Sequence, residues 1–140
     1  MTGAAHRITV RVYYEDTDAA GIVYHANFLR FAERARTEML RSLGFGQRRL
    51  REEAGVGFAV RRCCAEYLRP ARLDDALAVE TRVAAVGAAT MSLEQRIERD
   101  GDTLVRLDVL VACIGREGRP RRVPAALRAA LDVARAPAPP

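Results

Sequence analysis

Ala26-Asn27-Phe28-Leu29-Arg30-Phe31-Ala32-Glu33-Arg34-Ala35-Arg36-Thr37-Glu38-Met39-Leu40-Arg41-Ser42-Leu43 is the stretch on which the fold turns. Its apolar residues Phe28, Phe31, Ala32, Ala35, Met39 and Leu43 fall on one helical face, and Arg30, Glu33, Arg34, Arg36, Glu38 and Arg41 lie largely elsewhere. The spacing predicts an amphipathic helix from about Ala26 to Leu43. Asn27 stands near the expected N-cap and Gly44 follows as the stop. At about 1.5 Å per residue such a helix runs roughly 27 Å, as long as a small sheet is wide. Its apolar face must be covered by the rest of the chain.

The flanking sequence offers strands for that purpose. Ile8 to Tyr14 alternates, with Ile8, Val10, Val12 and Tyr14 on one side. After a short polar helical piece at Gln47 to Glu53, four strand-like runs follow: Phe58 to Tyr67, Leu77 to Ala85, Met91 to Ile97 and Thr103 to Ile114. Asp100-Gly101 between the last two is a strong two-residue hairpin signal. A terminal helix is expected over Pro124 to Val133, and residues 134–140 read as a frayed tail. The order strand, long helix, four strands implies an antiparallel meander with the first strand added at an edge. This is an α+β architecture, a five-stranded sheet wrapped on one long helix, known as the hotdog fold. A single domain spanning 1–140 is expected, ordered from about residue 7 to residue 133.

Composition narrows the class further. A chain of 140 residues buries roughly 68–70% of its unfolded surface and needs no staples. Apolar residues make up 49% and mean hydropathy is near zero, which fits a soluble globular protein. No apolar run approaches the roughly 20 residues of a membrane span, and the first residues do not read as a signal peptide. No membrane insertion and a cytoplasmic location are expected. Cys63 and Cys64 are adjacent in a strand pattern and Cys113 stands alone, so small buried apolar roles are expected rather than disulfides or zinc. The net charge of +5 is carried by arginine alone, because the chain contains no lysine. A Schiff-base lysine and a P-loop are thereby excluded. Scattered arginines with few aromatics do not suggest nucleic acid, whereas a phosphorylated small molecule suits the guanidinium fork.

The chemistry is concentrated between the first strand and the helix, in Tyr13-Tyr14-Glu15-Asp16-Thr17-Asp18-Ala19-Ala20-Gly21-Ile22-Val23-Tyr24-His25. Elsewhere the inventory is thin. Ser42 and Ser92 are the only serines and neither sits in a GxSxG elbow; His6 is close to the N-terminus and expected to be disordered. Asp16-Thr17-Asp18 begins like a calcium loop but lacks the later ligands, so no metal is expected. Asp18 and His25 remain as the catalytic candidates. One reading makes Asp16 and Asp18 turn formers that cap loop amides. The other has Tyr13, Tyr14, Ile22, Val23 and Tyr24 bury a carboxylate toward general-base values. Gly21 would let the backbone approach a ligand beside a helix N-terminus, where free N–H groups stabilise an oxyanion.

The segments Arg11-Val12-Tyr13-Tyr14-Glu15-Asp16-Thr17-Asp18, Gly21-Ile22-Val23-Tyr24-His25-Ala26-Asn27 and Glu33-Arg34-Ala35-Arg36-Thr37-Glu38 resemble the hotdog-fold acyl-CoA thioesterases. The likeness is to the bacterial family found with the Tol–Pal envelope system, related to 4-hydroxybenzoyl-CoA thioesterase. Tyr67-Leu68-Arg69-Pro70-Ala71 and Gly118-Arg119-Pro120-Arg121-Arg122-Val123-Pro124 extend it. The resemblance implies hydrolysis of an acyl-CoA thioester without a cofactor. Asp18 would act as nucleophile or general base, and the His25 N–H would polarise the carbonyl. The His25 side chain would orient substrate or assist thiolate departure.

The resemblance also implies a homo-oligomer, a dimer of dimers with active sites between subunits, hence a homotetramer. Tyr14, Gly21, Tyr24 and Phe28 would line the substrate site, with Gly57 and Phe58 contributed by the partner. Phe28, Phe31, Ala32 and Ala35 are expected to wall the acyl pocket. The run Arg116, Arg119, Arg121 and Arg122, with Arg119 and Arg121 foremost, is the basic candidate to meet CoA phosphates; Val86-Gly87-Ala88-Ala89, a connection from which some relatives contact phosphate, has no basic residue here, which leaves the mode of CoA binding open. An acyl-carrier protein is an alternative carrier. Two other readings stand beside this one: a hotdog dehydratase acting on hydroxyacyl thioesters, and a non-catalytic acyl-CoA or acyl-carrier-protein binding module.

Overall fold

The computed structural model describes residues 5–135. Five strands form one antiparallel sheet: β1 (His6–Arg11), β2 (Val56–Tyr67), β3 (Ala76–Val86), β4 (Thr90–Arg99) and β5 (Asp102–Gly115). Their order across the sheet is β1-β3-β4-β5-β2. The helix α1 spans His25–Ser42, and α2 (Gln47–Arg49) runs into a π-helical turn at Leu50–Ala54. The helix α3 covers Ala125–Ala134. Five strands on one long helix is the expected architecture.

One element departs from the meander. β3, β4 and β5 follow one another, but β2 pairs with β5 at the far edge and not with its successor β3. Both sides of β3 are already taken, by β1 and β4. The linker after β2 crosses over the start of β5 instead, where the Leu68 and Arg69 amides both donate to the Leu104 carbonyl at 2.8 and 3.1 Å.

The hairpin between β4 and β5 is as its sequence implies. Asp100 and Gly101 both take positive φ, 52° and 85°, the pattern of a type I′ turn matched to strand twist. Strand alternation places Leu77, Val79 and Val83 with Met91, Leu93 and Ile97 on the inner face, where α1 covers them. From α1 the buried residues are Asn27, Phe28, Phe31, Ala32, Ala35, Met39 and Leu40. Gln95, 1% exposed, ties the two layers together. Its amide donates to the Ala32 carbonyl and to Thr81 Oγ1, both at 2.9 Å, and its Oε1 accepts from Arg36 at 3.1 Å.

Several local expectations are corrected. The helix begins at His25 with Tyr24 at its N-cap position, so Asn27 is a helical residue and not the cap. Its C-terminus closes as expected on Gly44, at φ 92°, with the Phe45 amide returning to the Leu40 carbonyl at 2.9 Å. His6 is a residue of β1, paired opposite Thr81, and not a disordered one. Cys113 is buried as expected, but Cys63 and Cys64 are exposed because β2 is an edge strand with no cover. Ala134 ends α3 and Arg135 bridges Val83. The remainder of the expected tail, 136–140, lies outside the described residues.

Candidate active site

A short ladder carries the loop between β1 and α1. The Tyr24 amide donates to the Asp16 carbonyl, Thr17 bridges Val23, and the Asp18 amide donates to the Ile22 carbonyl, each hydrogen bond at 2.9 Å. The turn at its tip closes with the Gly21 amide on the Asp18 carbonyl at 2.9 Å. Gly21 holds φ at 79°, a region side-chain-bearing residues resist. From behind, the Val23 amide reaches the Ala71 carbonyl at 2.8 Å and Ile22 bridges Arg72. The segment after β2 is therefore the loop's backing.

The two aspartates on this ladder have opposite fates. Asp16 is 6% exposed; its Oδ2 accepts from the Tyr13 amide at 2.8 Å and its Oδ1 from the Asn27 side-chain amide at 2.9 Å. Asp18 is exposed, with Oδ1 taking the Ala20 amide at 2.9 Å. Its Oδ2 has no partner among the described residues. Of the two acids among these apolar neighbours, burial falls on Asp16 alone. Tyr14 explains part of this: it is 82% exposed and so gives Asp18 no cover.

At the foot of the ladder α1 presents its N-terminus. The Asn27 amide folds back to the Tyr24 carbonyl at 2.8 Å, while the His25 N–H has no acceptor among the described residues. The exposed His25 ring lies between Tyr24, 4.6 Å between centroids, and Tyr67, 5.9 Å and edge-on. Tyr67, at the end of β2, also meets Phe28 at 6.0 Å. Burial raises the Tyr67 phenol pKa, with the neighbouring Cys63 adding to the shift. In the sequence only a family likeness marks this tyrosine. Its place in the site depends on a contact between α1 and β2 that no local pattern encodes.

Asp18, Gly21, Tyr24 and His25 thus come together, with Tyr14 at the margin. Phe28 is 3% exposed and supports the site from the core side rather than lining it. Phe31, Ala32 and Ala35 are fully buried and none of them lines the groove beside α1. The space beside α1 is a groove of about 360 Å³ toward β2, lined by Leu29, Glu33, Arg36, Leu40, Val60 and Cys63. Leu29, Glu33, Arg36 and Leu40 follow His25 at helical spacing, so this groove starts one turn from the N-terminus of α1. Desolvation lowers the pKa of Arg36 there, against the favourable charge of Glu33.

Gly57 and Phe58 lie at the opposite end of β2 from Tyr67, and Phe58 lines the groove beside α1 there. Arg119 and Arg121 are near them, since β2 begins opposite the end of β5: the Gly115 amide donates to the Arg119 carbonyl and the Arg121 amide to the Cys113 carbonyl. Arg121 also lies 3.8 Å from Glu117. The β3–β4 link has no basic residue of its own, but Arg128 of α3 donates to the carbonyls of Gly87 and Val86. No group of three or more His, Cys, Asp or Glu side chains converges as a metal site among the described residues.

The sheet and helix have the fold of hotdog thioesterases, with an exposed carboxylate beside the open N-terminus of α1. The chain belongs to the thioesterase-like superfamily, whose family model matches residues 12–131. Among curated relatives, an acyl-CoA thioesterase YbgC of Haemophilus influenzae is 52% identical over 105 residues, 75% of this chain and 77% of that protein. An acyl-CoA thioester hydrolase YbgC of Escherichia coli is 45% identical over 126 residues, 89% of this chain and 93% of that one. A crystal structure of a probable thioesterase from Bartonella henselae superposes with a TM-score of 0.83 at 40% identity, covering 86% of this chain and 100% of the other.

Proposed function

We propose that this acyl-CoA thioester hydrolase uses Asp18 as its reacting carboxylate and the N-terminus of α1 as its oxyanion site. The observation that carries the assignment is the contrast on the ladder: Asp16 is saturated with hydrogen bonds and buried, whereas Asp18 keeps Oδ2 free and open. With the acyl carbonyl at the His25 N–H, the helix dipole favours the charge that develops on oxygen. Asp18 then either takes a proton from an attacking water or attacks the carbonyl carbon itself to give a mixed anhydride that water opens. In both routes the tetrahedral centre collapses by expelling the CoA thiolate, a good leaving group that needs little acid help. Exposed aromatic rings of Tyr14, Tyr24 and Tyr67 surround the approach.

The enzyme is read as a cytoplasmic homo-oligomer with its sites between subunits. Two features support the oligomer: β2 is an unpaired edge, and Val60, Tyr67, Leu68 and Leu29 expose apolar surface on and beside it. No helix among the described residues is long and apolar enough to cross a membrane. The deciding experiment is a hydrolysis panel of acyl-CoA thioesters, from acetyl to palmitoyl plus aromatic acyl groups, followed by thiol release. Turnover abolished by Asp18→Asn supports the assignment. Binding of acyl-CoA without turnover would replace it by the binding-module reading, with acyl-carrier-protein thioesters as the remaining substrates to try.

A further inference from the structure

The groove beside α1 has a largely apolar wall, with Leu29, Leu40, Phe58, Val60 and Met91, and yet it carries a guanidinium in its side. Arg36 is half-buried there, and only one N–H of its fork has a partner among the described residues, the Gln95 Oε1 at 3.1 Å. That acceptor is itself built in. Gln95 is 1% exposed and spends its amide on the Ala32 carbonyl and Thr81 Oγ1, both at 2.9 Å, which fixes its Oε1 toward Arg36. A buried polar network that ends on one cation is costly to assemble unless the free end of that cation is used. The charges in the lining do not cancel either. Arg30 and Arg36 stand against one carboxylate, Glu33, and none of the three has an ion pair among the described residues. At Arg36 desolvation outweighs the charge of Glu33 and lowers the pKa, so the guanidinium lacks a full counter-charge.

We propose that this groove selects acyl groups that end in a carboxylate, the hemi-thioesters of straight-chain dicarboxylic acids, and that Arg36 reads that end; the inference rests on the thioesterase reading above and names its substrate class. Helix geometry sets the length. His25 and Arg36 lie on one face of α1, separated along it by roughly 16 Å at about 1.5 Å per residue. Helical side chains lean toward the N-terminus, which brings the guanidinium back by several ångströms. At about 1.3 Å per methylene, on the order of 8–12 carbons span the remaining distance. A carboxylate held there accepts from the unused arm of the fork. A methyl end would instead leave a desolvated cation unpaired. Glu33 opposes the anion from one turn nearer the helix N-terminus, but it is exposed and screened by water, whereas Arg36 is not.

Turnover of sebacyl-CoA, which bears a terminal carboxylate, against decanoyl-CoA of the same length tests the selection. Wild type is expected to favour the diacid thioester in kcat/KM. Arg36→Met keeps the apolar stem and removes the charge. It should lower the ratio of the two by about 10–10²-fold, with decanoyl-CoA improving because a cation leaves its path. Arg36→Lys keeps the charge but not the fork and should recover part of the ratio. Glu33→Gln should move the ratio the other way, upward by roughly two- to fivefold, a gain that damage to the fold does not produce. A ratio near one that neither substitution moves overturns the proposal. Faster turnover of ω-hydroxydecanoyl-CoA than of sebacyl-CoA overturns it as well.

Binding separates the groove from the chemistry. Calorimetric titration with sebacate and with decanoate requires no turnover. Wild type should bind sebacate more tightly than decanoate, and Arg36→Met should reverse the order. If wild type hydrolyses no thioester yet binds sebacate through Arg36, the groove stands and the catalytic reading falls. If it hydrolyses decanoyl-CoA and binds the two acids alike, the catalytic reading stands and the selection by Arg36 falls.

Discussion

The loop between β1 and α1 has an inner and an outer half, and the two are built on different principles. In the inner half Asp16 is locked by the Tyr13 amide and the Asn27 side chain, and Val23 and Tyr24 hydrogen-bond to Ala71 and Asp16. In the outer half, two residues along, Asp18 is exposed and only one of its oxygens is engaged. The same residue type thus serves as a structural bolt in one place and stands open to solvent in the other. A carboxylate can be left available without being left mobile, provided that its neighbours carry the rigidity.

The contrast breaks most directly at Asp18. Asp18→Asn should cost at least about 10²-fold in rate, as for loss of a general base, with little change in melting temperature. Steady-state turnover and a thermal melt on the same sample check both halves, and equal rate losses from Asp18→Ala and Asp16→Ala would abolish the distinction. Asp16→Ala should act the other way round. It strands the Tyr13 N–H and the Asn27 amide, so a loss of about 2–4 kcal/mol is expected, or roughly 6–16 °C in Tm.

Gly21→Ala sharpens the comparison at the tip of the ladder. Forcing a Cβ to a φ of 79° should cost about 1 kcal/mol by denaturant titration. The smallest effect concerns Asp75, which backs the loop through its bond from the Arg72 amide. Desolvation alone would raise its pKa, but hydrogen bonds from Arg72 and Arg99 win and hold it below the ordinary 3.8. A depressed folded pKa gives stability that is complete above that ordinary value and is lost as pH falls through the folded one. Melting temperatures taken downward from about pH 5 should therefore fall less steeply below about pH 4 in Asp75→Asn than in wild type.

Much of this was legible from periodicity. The helix face from Phe28 to Met39, the alternation of the strands and the Asp100-Gly101 turn each follow from spacing, because local geometry decides them. The position of β2 was not legible. Alternation identifies a strand but carries no record of its neighbour, and the turn-rich segment Leu68 to Asp75 reads like a hairpin although it crosses the sheet. The loop divides in the same way. Its composition marks the chemistry, but which of Asp16 and Asp18 is buried depends on Asn27 turning back from inside the helix. Tyr67 shows in the sequence only through a family likeness for a related reason: its place beside His25 and Phe28 comes from a contact between β2 and α1.

The lysine-free surface has a chemical corollary. Thioesters acylate free amines, and an ε-amino group near a stock of activated acyl groups is gradually capped as an amide. Every one of the 23 basic side chains here is a guanidinium, whose nitrogens stay protonated and are poor nucleophiles. An enzyme so equipped can gather the anionic carrier by charge and keep that charge however long it handles the carrier's reactive cargo. Incubation with excess acyl-CoA should leave its basic residues unmodified by mass spectrometry.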